Sequence, residues 1–221
     1  MNQSIHRLIK DQKGFSLIEI IVAVILLGSC FMLLATLIHQ NSLAIQLTKR
    51  KEGAAFVRED IKEWLLYKGQ IQDIANLNNY VLVQADAGKT LTDKQKARRN
   101  HLILDNSGIQ KESSLPLYGE VEVKEVDGDR GDFTKKVTYH PTEAAFLPEK
   151  LRSDVNQLYI GEYIDGTQGT STFLVEVQVT IPDQTVGYSP RREGVNLTIL
   201  IYDKKTGGLL TSTILNWVVD S

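Results

Sequence analysis

Lys13-Gly14-Phe15-Ser16-Leu17-Ile18-Glu19 opens an apolar run that carries no charge from Ile20 to Ile38. Counted from Phe15 through Ile38, the run is about 24 residues long, and about 20 are enough to cross a bilayer as one helix. A secretory signal peptide has an apolar region of about 7–15 residues before a small-residue cleavage site, so this stretch is too long for that class. A single transmembrane helix is the minimum physical reading. Glu19 is the anomaly within it. A carboxylate in a membrane-length helix costs on the order of 2.5–3.5 kcal/mol at mid-bilayer and less near the interface. It therefore asks for a partner, and an amine is the obvious candidate. The bland alternative is an interfacial carboxylate whose head reaches the cytoplasmic surface.

Upstream, Arg7, Lys10 and Lys13 stand against Asp11. This basic excess is expected to hold the N-terminus in the cytoplasm and to send the C-terminal bulk outward. Lys49, Arg50 and Lys51 lie about three helical turns past the apolar run and pull the other way. The leader charges are taken to prevail, because the first segment usually dominates orientation.

The basic leader, the Gly-Phe pair, the apolar run and its one Glu together resemble the signal of type IV prepilins and pseudopilins. The likeness covers roughly a tenth of the chain, from Lys13 through Gly28. It implies that a membrane aspartyl peptidase cuts after Gly14, that the new N-terminal Phe15 is N-methylated, and that Glu19 neutralises the terminal amine of a neighbouring subunit during assembly. It also implies a pilin-like α+β plan, a long helix covered by an antiparallel sheet. Many members of that family carry a helix-breaking proline in the apolar half, whereas no proline precedes Pro116 here. Gly28, about 1 kcal/mol worse than Ala in a helix, is then the weak point.

The apolar pattern continues past the membrane run. Leu43, Leu47, Ala54, Val57, Ile61, Trp64 and Leu65 recur at helical spacings. The other face carries Lys49, Arg50, Glu52, Arg58, Glu59, Asp60, Lys62 and Glu63. The spacing predicts one helix from an N-cap at Ser16 to about Tyr67, roughly 75 Å long, with Gly69 after Lys68 as its stop. Its first half is apolar all round and wants lipid or a bundle of like helices. Its second half is amphipathic and wants a covering domain.

About 150 residues follow Gly69, the size of one ordinary domain. Val81–Val83, Leu102–Leu104, Leu117–Val126, Phe133–His140, Leu158–Ile164 and Thr172–Ile181 read as strands. The clearest hairpin pairs Val195–Tyr202 with Leu209–Val219 across the polar turn Asp203-Lys204-Lys205-Thr206-Gly207-Gly208. The expected organisation is a leader (1–14), a long helix (15–68, transmembrane over 15–38) and an extracytoplasmic β-rich domain (69–221). Strands after one long helix argue an α+β fold in which the sheet covers the helical stripe.

Removing the leader, with three basic residues and one acidic, moves the net charge from −2 to −4, which does not suit a general nucleic-acid binder. Lys94, Lys96, Arg98 and Arg99 could contact DNA phosphates, but no interleaved aromatics offer a base-stacking platform, and a solvated face is the plainer reading. Arg130-Gly131-Asp132 spells an adhesion tripeptide inside a charged turn; the neighbouring aspartates lack the twelve-position calcium loop. His6, His39, His101 and His140 have no ligand spacing, and no Gly-x-Ser-x-Gly elbow occurs. No metal, cofactor or catalytic activity is expected. Cys30 lies in the apolar run, leaving residues 69–221 without a disulfide.

The expectation is a structural subunit of a type IV pilus or pseudopilus, by resemblance a minor one. It begins as a single-pass precursor in the cytoplasmic membrane and ends in a filament at the cell surface. Its implied partners are the membrane, other pilin subunits, the prepilin peptidase and, indirectly, the assembly platform and its ATPase. Two alternatives stay open: a tip subunit whose outer domain binds DNA or a surface ligand, and a signal-anchored outer protein that never polymerises. A retractable pilus, a competence pseudopilus and a type II secretion pseudopilus all fit.

Overall fold

The computed structural model describes residues 16–71, 93, 100–104, 136–140, 144–152, 159–165, 169–180 and 194–217. One helix, α1, spans Leu17–Ile71 without a break at Gly28. It passes through Gly69, where the sequence predicts a stop. The expected strands at Val81–Val83 and Leu117–Val126, the basic cluster Lys94–Arg99 and the Arg130–Asp132 turn lie outside the described residues. The contacts divide the chain into two units, residues 1–49 and 50–221.

In the first unit, the described part of α1 is exposed along its whole length. That includes Leu43 and Leu47, which the periodicity assigns to the covered stripe. Two hydroxyls on this apolar rod are satisfied within it. Ser29 Oγ donates to the carbonyl of Leu26 at 2.8 Å, and Thr36 Oγ1 to that of Met32 at 2.8 Å. Such bonds to the preceding turn let a polar side chain sit in a medium that offers it no water.

Among the described residues of the second unit, five antiparallel strands follow in sequence order: β1 (Val137–Thr138), β2 (Ile160–Asp165), β3 (Gly169–Thr180), β4 (Val195–Asp203) and β5 (Leu209–Trp217). The architecture is α+β. Alternation decides which face is inside. Val195, Leu197, Ile199 and Ile201 on β4 and Val175, Val177 and Val179 on β3 share one core with Ala54, Val57, Ile61, Trp64 and Leu65 of α1. Each large apolar side chain removed from water contributes about 1.5–3 kcal/mol. The cross-links are polar: Trp217 Nε1 donates to the Leu65 carbonyl at 2.9 Å, Tyr163 to Asp60 at 2.8 Å, and Arg58 to Thr211 at 2.9 Å. Burial and the adjacent Asp60 carboxylate raise the Tyr163 phenol's pKa, so it remains a donor at every physiological pH.

The predicted β4–β5 hairpin forms, with residues 218–219 of its second strand outside the described residues. Asp203 organises its turn by accepting from the Lys205 and Thr206 amides at 2.9 and 2.8 Å, and it pairs with Arg50 at 3.1 Å. Gly207 takes φ +65°, a conformation other residues rarely hold. Leu102–Leu104, in contrast, does not form a regular strand. Pairing between β2 and β3 ends at Ile160 and Glu176, and beyond it His101 makes an isolated bridge to Gln178. Leu102 N bonds the Val177 carbonyl at 2.8 Å, and Val179 N that of Asn100 at 2.7 Å. Of Phe133–His140, residues 136–140 are described, and among them the regular strand is Val137–Thr138.

β1 packs tightly on β2 because Gly161 has no side chain. A Cβ there would meet Val137 Cγ1 at 2.2 Å. Gly161→Ala is expected to cost about 1–3 kcal/mol by overpacking, read as a lowered melting temperature of the full chain in detergent. An unchanged melting temperature would mean that β1 yields freely.

Candidate functional site

The N-terminal turn of α1 is built from Ser16 onward; Gly14 and Phe15 lie outside the described residues. Ser16 stands at the N-cap position, and its carbonyl accepts from the amides of Glu19 at 2.9 Å and Ile20 at 3.2 Å. Glu19 falls in the first turn, where the positive end of the helix dipole favours a carboxylate by about 0.3–1 kcal/mol. Around it Leu17, Ile18, Ile20 and Ile21 are all exposed. The result is one negative charge near the end of an apolar rod. The rod is long and apolar enough to cross a membrane. An arrangement of this kind can accept a cation brought to it in a nonpolar setting, and can do little else chemically.

Residues 9–35 match the model of the prokaryotic N-terminal methylation motif. The chain carries a type IV prepilin-like signal. The matched segment contains Gly14, Phe15 and Glu19, the three positions that the sequence singles out. No curated protein and no solved structure matches the chain. With the apolar helix, the prepilin-like signal points to a membrane-anchored precursor.

A second group of polar residues was not singled out from sequence. On the sheet face turned away from α1, Glu176 is 3% exposed. It accepts from His101 Nε2 at 2.8 Å, Gln178 Nε2 at 2.9 Å and Tyr202 Oη at 2.7 Å. The His101 ring stacks on Tyr159 at 4.7 Å. On β2, the buried Glu162 pairs with Lys204 and has His140 at 3.7 Å. Alternation along Leu174-Val175-Glu176-Val177 places Glu176 on the face away from the helix, which a sequence reading takes for solvent. The turns Ala144–Phe146 and Glu149–Leu151 bring Phe146, Leu147 and Leu151 onto Ile160, Leu174 and Tyr202, covering part of that face. Among the described residues no group of three or more His, Cys, Asp or Glu is placed to hold a metal. Both glutamates are satisfied, and the cluster reads as structural.

Burial raises the cost of charging Glu176, but the hydrogen bonds from His101, Gln178 and Tyr202 outweigh it and hold the carboxyl below the ordinary 4.5. A depressed native pKa contributes stability above the unfolded value, and that contribution fades as pH falls through the native one. The full chain is therefore expected to lose stability progressively below about pH 4.5, while Glu176→Gln shows a flatter acid limb. Superimposable acid-unfolding curves, followed by circular dichroism, would contradict this.

Proposed function

We propose that this protein is a structural subunit of a type IV pilus or pseudopilus, trimmed after Gly14 and assembled into a filament through α1. The observation that carries the reading is the joint one at the N-terminus: a prepilin-like signal over residues 9–35 and, inside it, Glu19 on the first turn of an exposed apolar helix. Mechanistically, the chain waits as a membrane-spanning precursor, leader in the cytoplasm and domain outside. The peptidase removes residues 1–14 and exposes the Phe15 amine, which is methylated and stays cationic. A neighbouring subunit's Glu19 meets that amine as the helices bundle. Away from bulk water the two charges must pair or bear their desolvation cost, several kcal/mol per ion, so the contact sets axial register. The platform protein and its ATPase supply the work of extraction.

The reading is tested by blocking the trimming step. With Gly14 replaced by a bulky residue, the chain is expected to keep its leader, remain in the membrane fraction and be missing from sheared surface filaments that contain the parent. A parent that sediments with membrane and never appears in the sheared fraction would instead fit a signal-anchored outer protein.

A further inference from the structure

The tip of the β4–β5 hairpin lies beside the start of the second unit. Asp203, which opens the turn, pairs at 3.1 Å with Arg50, the first residue of that unit. On the other side of the turn, a Cβ on Gly207 would stand 3.1, 3.2 and 3.4 Å from Pro148, Leu151 and Lys150. The turn is therefore flanked by α1 and by the Glu149–Leu151 turn, all within one unit.

Cations gather at this end without acids to neutralise them. Among the described residues Asp203 is matched by Arg50 and Glu162 by Lys204, whereas Lys51, Lys150, Arg152 and Lys205 are exposed and form no ion pair. Lys51 lies seven residues, about two turns, before Arg58, which bonds Thr211 of β5, so it is on the hairpin side of the helix. Arg152 donates to the Leu147 and Ala145 carbonyls at 2.7 and 3.1 Å, bonds that fix the guanidinium and leave its charge. Against these four stand the exposed Glu149 and the half-buried Asp165. Glu52 is nine residues, about two and a half turns, before the buried Ile61, and so lies on the far side of α1. Leu209, the first residue of β5, is 53% exposed. Lysines around an exposed leucine suit a surface that is anionic outside and apolar beneath.

The chain itself keeps such a surface near. The charge-free run ends at Ile38, polar His39-Gln40-Asn41-Ser42 follows, and Arg50 is twelve residues from Ile38. This end of the unit is thus tied by a short stretch to the segment that is long and apolar enough to cross a membrane. We propose that the β4–β5 turn, with Lys51, Lys150, Arg152 and Lys205 around it, binds the headgroup phosphates of anionic phospholipid in the leaflet from which the domain emerges. Each Lys or Arg near an anionic surface strengthens attachment about fivefold. The contact belongs to the membrane-anchored precursor and needs no filament.

Amine acylation followed by mass spectrometry tests this on the full chain held in lipid nanodiscs. Lys51, Lys150 and Lys205 are expected to label about threefold more slowly in phosphatidylglycerol than in phosphatidylcholine, while Lys62, further along α1, labels alike in both. About 1 M salt, with a Debye length of about 3 Å, is expected to abolish the difference. Inorganic phosphate added to phosphatidylcholine discs is expected to protect none of the three. Lys150→Glu/Lys205→Glu is expected to keep the parent's melting temperature and to let Lys51 label alike in both lipids. Equal parental labelling in both lipids, protection by inorganic phosphate alone, or a Lys51 difference untouched by the double variant would each overturn the proposal. Those results leave the pilus reading intact, since that reading fails by a different observation, absence of the parent from sheared filaments. A parent chain that alkaline carbonate strips from vesicles of either lipid would remove the anchor, and this contact with it.

Discussion

Glu19→Lys is expected to leave the chain inserted and trimmed while reducing its incorporation into filaments by about two orders of magnitude. Three effects act in the same direction. In the proposed contact, the substitution removes the acceptor for a neighbour's terminal amine and faces that amine with a like charge. It also puts a cation at the positive end of the α1 dipole, where a carboxylate had been favoured by about 0.3–1 kcal/mol. Breaking a buried ion pair by removing one partner costs about 3–5 kcal/mol, and every 1.4 kcal/mol is a factor of ten. Glu19→Gln separates the terms: it keeps the size and removes the charge, so its defect is expected to be smaller than that of lysine. The measurement is the ratio of chain in sheared filaments to chain in membranes. Parental ratios for Glu19→Lys would remove the ionic contact from the account.

Trp217→Ala has the largest expected effect on the folded domain. The side chain is 2% exposed, on the last strand, and belongs to the core shared with α1. Its indole donates to the Leu65 carbonyl at 2.9 Å. Truncating a buried Trp costs about 3–5 kcal/mol through lost burial and the cavity left behind, and the lost indole hydrogen bond adds about 0.5–1.5 kcal/mol. Against a typical total of about 5–15 kcal/mol, that sum is a large fraction of the stability. Protease digestion of the full chain in detergent is the readout, with the variant degraded and the parent resistant. Equal resistance would mean that the grip of β5 on α1 is not what holds this domain together. Trp217→Phe keeps most of the burial and loses the indole donor, so its deficit isolates the hydrogen bond.

The parts legible in the sequence are those set by local period. A 3.6-residue repeat marked Ala54, Val57, Ile61, Trp64 and Leu65 as the covered stripe, and a two-residue repeat with a Gly-rich turn marked the β4–β5 hairpin. Periodicity tells which side of a helix is apolar and not how far a cover extends. Leu43 and Leu47 therefore continue the stripe and yet are exposed. A glycine's weak helix preference is likewise overridden by context, and α1 runs through both Gly28 and Gly69. The burial of Glu176 was invisible because its partners come from afar: His101 is 75 residues away in sequence and Tyr202 is 26. Leu102–Leu104 has the composition of a strand, but beside the length of β3 beyond Glu176 the stretch from His101 makes isolated bridges instead of a ladder. At the candidate site, Glu19 stands out in the sequence because a charge within an apolar run is costly wherever it occurs.

The N-terminal mass of the protein isolated from its cells bears most directly on the whole account. It is expected to correspond to a chain that begins at Phe15 and carries one added methyl group on its terminal amine. A mature chain that still begins at Met1, or that begins unmodified elsewhere in the apolar run, would leave Glu19 without the amine that the proposed contact requires.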